Sequence, residues 1–284
     1  MAVKIVTDSA CDLPMDVIQA LNIDVLPLSV YIEDKEYLDS VNLSSDELYE
    51  HMIEGKSVKT AQIPLQTFIE KFEAYAQTSE PYIYLAFSSN LSGTYQTAIL
   101  AKEAVKEDYP DFDLTIIDTK YVSLGLGLLV VEIAQKAKAG MGKEELLKLV
   151  LNQNKEMIHL FSVDDLEYLF RGGRVSRRQA TIGSVLNIKP ILNVQDGFLV
   201  PFDKAKGRKK RLVKMLDYVS RHGSDFGTQT IGIAHTLNES EAIMVKAYFK
   251  AEFGTQNFII NQLGCVIGAH CGPGVIAIFF RGEF

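Results

Sequence analysis

The run Tyr82–Phe87 is aromatic, β-branched and apolar throughout, which is the pattern of a buried strand. The residues that follow, Ser88-Ser-Asn-Leu-Ser-Gly-Thr94, are small and mostly polar. From Thr94 to Glu107, apolar positions at Ala98, Ala101, Ala104 and Val105 recur with helical spacing. The pattern therefore predicts a strand, a hydroxyl-rich turn and a helix. A helix start presents unpaired backbone N–H groups and the positive end of the helix dipole. Ser88, Ser89, Ser92 and Thr94 add side-chain donors, so a phosphate or carboxylate is a natural guest. The same residues also suit an ordinary strand-to-helix loop with a hydroxyl cap.

Upstream, Val3–Val6 reads as a strand running into the loop Thr7–Pro14. Pro14 suits the first turn of a helix over Met15–Leu21, and Ile23–Tyr31 returns as a strand. This β-α-β opening predicts a parallel sheet with its ligand-binding loops gathered at the strands' carboxyl ends. The charged stretch Glu33–Glu50 reads as irregular, with a short helix starting in Asn42–Asp46. Thr60 and Gln62 form a third polar turn ahead of a helix over Leu65–Gln77. Leu114–Asp118 is a strand and Tyr121–Ala139 a long apolar helix. Gly125 and Gly127 in that helix suit close packing or a ligand chain alongside it. Lys143–Asn154 is a further amphipathic helix.

Near Met157–Val163 a strand opens a second unit. A short helix over Asp164–Phe170 leads to the basic glycine turn Arg171–Arg178, followed by a helix over Gln179–Leu186. Lys189–Pro201 reads as a hairpin turning at Asp196-Gly197. A basic run, Lys204–Arg211, leads into a helix over Leu212–Arg221. Strand Thr230–Ala234, helix Glu239–Phe253 and strand Asn257–Gln262 follow, and a turn at His270–Gly274 enters the last strand, Val275–Phe280.

Composition narrows the function classes. With 284 residues, 47% of them hydrophobic, the chain can build a sizeable core. A net charge of −7 argues against general nucleic-acid binding. Cys11, Cys265 and Cys271 supply neither a disulfide framework nor a Cys-x-x-Cys metal site, and a reduced compartment is the simple reading. The start, Met1-Ala-Val-Lys-Ile-Val-Thr-Asp, reads directly into a strand, and the apolar patch Leu124–Ala134 falls far short of the roughly 20 residues that span a bilayer. The expectation is a soluble, cytoplasmic protein without a membrane span. Asp8 and Asp12 have no third ligand nearby and read as helix caps rather than a metal site.

Two catalytic readings have partial support. A serine-dependent hydrolase or acyltransferase would use Ser88 or Ser92, but the Gly-x-Ser-x-Gly elbow is absent. Of the five histidines only His270 sits in a site-like turn. A phosphate-binding kinase would need a Gly-x-x-x-x-Gly-Lys-Ser/Thr loop, which the chain lacks.

Five segments in order carry a specific resemblance. They are Thr7–Pro14, Lys59–Pro64, Ser88–Thr94, Leu166–Ser176 and Gly268–Gly274. Together they resemble the DegV family of bacterial fatty-acid-binding proteins, over about Val3 to Phe280. The resemblance implies one α/β domain over 3–282 made of two lobes, 1–156 and 157–284. The N-terminal lobe would have a mainly parallel sheet flanked by helices and the C-terminal lobe a mixed sheet, with one long-chain fatty acid such as hexadecanoate buried between them. It implies that Thr60, Ser92 and the backbone near Gly93 hold the carboxylate, with His270 close to the head group. It further implies presentation of the bound acid to a fatty acid kinase that makes an acyl phosphate, so the chain itself needs no catalytic residue, metal or cofactor. Gln62, Arg171 and Arg208 are the further candidates for pocket or partner contacts. Arg171, Arg174, Arg177 and Arg178 suit contact with a phosphate or an acidic partner, or else a solvated turn in which Arg171 bonds backbone across the lobes; the run Lys204–Arg211, with Arg208, reads either as a solvated helix start or as a basic patch suited to docking the kinase. Transient contact with a membrane surface fits a lipid carrier. One departure stands out: Thr60-Ala-Gln-Ile-Pro64 replaces the family's usual Thr-Ser-Gln-Pro.

Overall fold

The computed structural model describes residues 2–153, 157–177 and 187–283. β1 (Lys4–Asp8), α1 (Met15–Leu21) and β2 (Asp24–Leu26) form the predicted β-α-β unit, with β1 and β2 in parallel. The strand expected over Ile23–Tyr31 is broken in two. β2 stops at Leu26, and β3 (Ser29–Ile32) restarts in a separate antiparallel sheet with β4 (Lys35–Leu38) and β5 (Val58–Ala61). Pro27 lies in the gap, where it cannot donate to a ladder. β4 lies in the stretch read as irregular. It is an edge strand whose Lys35 and Glu36 are exposed, which masks the alternation. Thr60 thus sits on a strand rather than in a turn.

α2 (Ser45–Ile53) starts with a reciprocal cap, the Ser44 hydroxyl accepting from the Glu47 N–H while the Glu47 carboxylate accepts from the Ser44 N–H. α3 (Leu65–Ala76) buries Phe68, Phe72 and Tyr75. β6 (Tyr82–Ala86), buried along its length, and β7 (Leu114–Asp118) complete the parallel sheet in the order β2-β1-β6-β7. α4 (Thr94–Asp108) follows β6, and α5 (Ser123–Lys138) and α6 (Lys143–Gln153) follow β7. The glycines of α5 serve protein packing. A Cβ at Gly125 would lie 2.1 Å from His159 Nε2, and one at Gly127 would lie 2.7 Å from the Cys11 carbonyl oxygen.

The second half is a mixed six-stranded sheet, ordered β10-β9-β8-β13-β11-β12. Its elements are β8 (Met157–Ser162), α7 (Glu167–Arg171), β9 (Ile188–Gln195), β10 (Phe198–Lys206), α8 (Arg208–His222), β11 (Thr230–His235), α9 (Glu239–Phe253), β12 (Asn257–Gln262), α10 (Cys265–Cys271) and β13 (Ile276–Arg281). The hairpin β9–β10 turns where the sequence predicts, with Asp196 and Gly197 at φ 48° and 80°. The helix expected over 179–186 lies outside the described residues. α10 was not anticipated, because Cys265-Val-Ile-Gly-Ala-His-Cys271 is short and poor in strong helix formers.

β13 shows how the core is divided. Ala277 and Phe279 face a large cluster shared with the first half, including Tyr84, Leu85, Leu124 and Leu128. Ile276, Ile278 and Phe280 face a second cluster with Met215, Phe226 and Phe249 under α8 and α9. This is the period-two alternation of a strand buried on both faces. The candidate site opens into the first cluster, between the parallel and mixed sheets.

Candidate functional site

The loop between β6 and α4 divides its hydroxyls between two tasks. Its first part docks onto the hairpin tip: Ser88 Oγ donates to the Gly197 carbonyl at 3.0 Å, and Asn90 Nδ2 donates to the Asp196 carbonyl at 2.6 Å. A Cβ at Gly197 would come within 2.3 Å of Ser88 Oγ, so glycine permits this approach as well as the turn. Ser89 is occupied by Lys120, whose Nζ donates to its hydroxyl at 2.7 Å. The expectation that all four hydroxyls face an anion therefore fails for Ser88 and Ser89.

Leu91 and Ser92 are the part of the loop that meets the cavity, with Gly93 beside them at the start of α4. Ser92 Oγ lies 2.8 Å from Thr94 Oγ1 and accepts from the Thr94 N–H at 3.2 Å. Gly93 is the N-cap of α4, and its own N–H meets no protein acceptor among the described residues. A Cβ there would sit 1.9 Å from Gln62 Oε1, so the Gln62 amide occupies the space a side chain would need. Gln62 is fixed from its other end, where Nε2 donates to Thr97 Oγ1 at 2.8 Å.

Thr60 on β5 and His270 in the last turn of α10 meet, with Thr60 Oγ1 2.7 Å from His270 Nε2. Burial, and secondarily the Arg174 guanidinium, push the His270 pKa down to about 3, so the ring is neutral. A neutral imidazole has a single N–H. If Nε2 carries it and donates to Thr60, the threonine proton is free for a further acceptor. Gly172 makes room for the ring, since a Cβ there would lie 2.2 Å from His270 Nδ1.

Thr60, Gln62, Ser92, Ser123, Arg174 and His270 are polar residues on the wall of a largely apolar cavity. The apolar wall includes Phe87, Leu91, Phe161, Leu199, Val266 and Phe279. Counted together with the solvent at its mouth, the space between these walls is about 770 Å³. Thr60, Arg174 and His270 also line a second, more polar cavity, together with Lys56, Lys59 and Arg171. They therefore stand between an apolar interior and a basic anteroom.

The arginines fall differently from expectation. Arg174, not Arg171, bonds backbone across the halves, with Nε donating to the Leu91 carbonyl at 3.1 Å. Arg171 pairs with Glu167 at 2.8 Å and lines only the anteroom. Arg208 lines neither cavity and forms an ion pair with Asp164 at 2.5 Å. Its neighbour Arg211, read as part of a solvated helix start, is fully buried between Asp164 and Glu241.

Asp8 and Asp12 are not the helix caps that the sequence suggests. The Asp8 carboxylate accepts from the Phe87 N–H at 2.9 Å and from Tyr84 Oη at 3.1 Å. Asp12 accepts from Ser123 Oγ at 2.5 Å and from the Gly264 N–H at 2.9 Å. Burial raises the two pKa values to about 6 and about 8. Among the described residues, no group of three or more His, Cys, Asp or Glu could hold a metal ion. No helix there is long and apolar enough to cross a membrane.

Among the described residues, neither Ser88 nor Ser92 is bonded to a base. Ser88 Oγ bonds a carbonyl, Ser92 Oγ bonds Thr94, and the histidine at the cavity is bonded to Thr60. A base within reach of the hydroxyl is what such a nucleophile requires.

A family model described as "Uncharacterised protein, DegV family" matches residues 2–283. A DegV domain-containing protein of Clostridium perfringens is 40% identical over 282 residues, covering 98% of this chain and 97% of that one. The solved structure of DegV from Bacillus subtilis, described as a fatty acid binding protein, is similar with a TM-score of 0.86 and 29% identity, covering 100% of both chains. A Thermus thermophilus DegV family protein, solved in a study of its fatty acid binding, is similar with a TM-score of 0.87 and 27% identity, covering 99% of this chain and 100% of that one. The apolar cavity, its hydroxyl-bearing wall and these likenesses over the full length lead to one conclusion: the chain belongs to the DegV family.

Proposed function

We propose that this protein binds one long-chain fatty acid, its tail in the apolar cavity between the lobes 1–156 and 157–284. The carboxylate would accept hydrogen bonds from Thr60, Ser92 and the Gly93 N–H. The observation that carries this reading is an apolar cavity that meets the basic anteroom at Thr60, His270 and Arg174, with the Thr60 hydroxyl and the neutral His270 ring bonded to each other there. The Bacillus and Thermus relatives, described as binding fatty acids, support the same ligand class.

The energetics favour a tail-dominated complex. Each buried methylene contributes about 0.8 kcal/mol, so a chain of about 15 methylenes gives roughly 12 kcal/mol before ordering costs. Each charge-assisted bond to the carboxylate adds about 1.5–3 kcal/mol, offset by its desolvation. The tail then sets affinity and the head group sets orientation. His270 serves by fixing the direction of the Thr60 hydroxyl proton.

The finer reading is that the bound acid is presented to a fatty acid kinase. Thr60 and Ser92 are uncharged and tolerate a head group that changes from carboxylate to acyl phosphate, whereas a tight ion pair would trap one form; Arg174, the cation on this wall, spends its Nε on the Leu91 carbonyl and a terminal nitrogen on the Gly172 carbonyl. Lys56, Lys59 and Arg171 in the anteroom favour the added phosphoryl charge. Arg208 contributes to the basic face on which the kinase would dock.

Native mass spectrometry of the purified protein tests the binding reading. A non-covalent adduct with the mass of a long-chain fatty acid, removed by organic extraction, supports it. A covalent acyl adduct on Ser88 or Ser92 would replace it with the hydrolase reading.

A further inference from the structure

α10 crosses between the two halves, and each of its ends is held by a different one. At its start, Asp39 takes the first-turn N–H groups: Oδ1 accepts from Cys265 N at 3.0 Å and Oδ2 from Val266 N at 3.4 Å. Asp12 accepts from Gly264 N at 2.9 Å, and Tyr49 Oη donates to the Leu263 carbonyl at 2.9 Å. At its far end Thr236, from the second half, donates its hydroxyl to the Gly272 carbonyl at 2.9 Å. Between these anchors, Val266, Ile267, His270 and Cys271 line the apolar cavity.

A helix this short has few internal bonds and a weak intrinsic preference to form. Its placement depends on what grips its ends. The grip at the start comes from the sheet that also carries Thr60. β4 leads directly into Asp39, β4 pairs with β3, and β3 pairs with β5, where Val30 lies opposite Thr60. One small sheet therefore holds both Thr60 and the anchor of the helix that delivers its partner. A buried carboxylate that forms no ion pair among the described residues is a costly anchor, and Asp39 is only 1% exposed. Simple packing would not call for it.

We propose that Asp39 and Asp12 are positioning residues of the head-group site, which fix the start of α10 and thereby seat the His270 imidazole on Thr60. The effect on lipid affinity rests on the proposed fatty acid reading; the effect on the imidazole does not.

The test uses the full chain and its Asp39→Asn variant, with hexadecanoate and methyl hexadecanoate as probes. The variant keeps the shape of the side chain but loses its charge and one acceptor. A Phe226→Leu variant, altered in the second core cluster away from α10, controls for general destabilisation. Asp39→Asn is expected to weaken hexadecanoate about tenfold, the loss of one charge-assisted contact, while leaving the methyl ester within about twofold. The ¹⁵N signals of the His270 ring should also shift in lipid-free Asp39→Asn and stay in place in Phe226→Leu. The proposal is overturned if the ring signals of Asp39→Asn match the wild type, if acid and ester weaken alike, or if Phe226→Leu reproduces both effects. Equal binding of acid and ester by the wild type would instead defeat the fatty acid reading, with the ring signals still deciding on the anchor.

Discussion

Thr60 and His270 lie 210 positions apart and meet at 2.7 Å, joining the small antiparallel sheet to a helix of the second half. The bond is a neutral one, since burial keeps the imidazole uncharged. It brings one hydroxyl and one ring to the point where the apolar cavity adjoins the basic anteroom.

Removing the hydroxyl should therefore affect the acid and not its ester. Thr60→Ala is expected to weaken hexadecanoate binding about ten- to a hundredfold, the loss of one hydrogen bond to a charged group worth about 1.5–3 kcal/mol, with methyl hexadecanoate little changed. Thr60→Ser should retain most of the affinity. Because His270 stays neutral down to about pH 3, His270→Gln should leave the pH profile of affinity unchanged in shape around the usual histidine pKa. Calorimetry between pH 5 and pH 8 checks both points.

Gly93 and Gln62 form a second testable pair. A methyl at residue 93 would lie 1.9 Å from Gln62 Oε1, so Gly93→Ala must displace the amide and break its bond to Thr97. Overpacking of this kind destabilises by about 1–3 kcal/mol. Adding Gln62→Ala should restore at least half of the loss, a non-additivity that urea unfolding of the four proteins measures.

Asp12 gives the protein a particular pH dependence. Burial, with Asp39 and Asp8 nearby, raises its pKa to about 8 against the bonds from Ser123 and Gly264. The other titratable groups coupled to it are Cys11, Tyr49, Cys265 and Cys271, and none is a cation. Between about pH 4 and pH 8 the folded protein keeps a proton that the unfolded chain releases. Its contribution to stability is full at the acid end, declines by at most roughly 1.4 kcal/mol per pH unit, and is gone above about pH 8. Asp12→Asn lacks this slope. The stability gap between wild type and variant should shrink as pH rises from 5 to 8 in denaturant titrations.

Arg208 is held on one side by Asp164 and remains 48% exposed on its side chain. Losing that partly exposed pair should change stability by about 1 kcal/mol or less. Arg208→Glu is expected to fold, to bind hexadecanoate normally, and to slow acyl phosphate formation by a fatty acid kinase at low salt. Unchanged turnover at low ionic strength would remove this face from docking.

Much of the fold was legible because the strong signals are local. The run Tyr82–Ala86 is apolar enough to fix a central strand, and Asp196-Gly197 can adopt the backbone angles of a tight hairpin. Glu239–Phe253 and Asn257–Gln262 match their predicted spans. The misses share one cause, in that tertiary partners override local preference. α10 forms where Asp39 waits for its N–H groups, a contact 226 positions distant that no local window contains. β4 is a strand by pairing with β3 while its own pattern is charged. At the site, the resemblance places Thr60, Ser92, Gly93 and His270, and the structure brings all but Gly93 to the cavity wall, with Gly93 beside them at the start of α4. Arg174 was overshadowed by Arg171 because the sequence shows two similar arginines and gives no hint which one faces Leu91. The buried role of Asp12 was hidden for the same reason, since its partners Ser123 and Gly264 lie far along the chain.

The most direct measurement is a crystal structure of the protein with hexadecanoate. The tail should fill the cavity past Phe161 and Phe279, with a carboxylate oxygen within about 3 Å of both Thr60 Oγ1 and Ser92 Oγ. A lipid lying outside this cavity, or one bound with its methyl end at Thr60, would contradict the account.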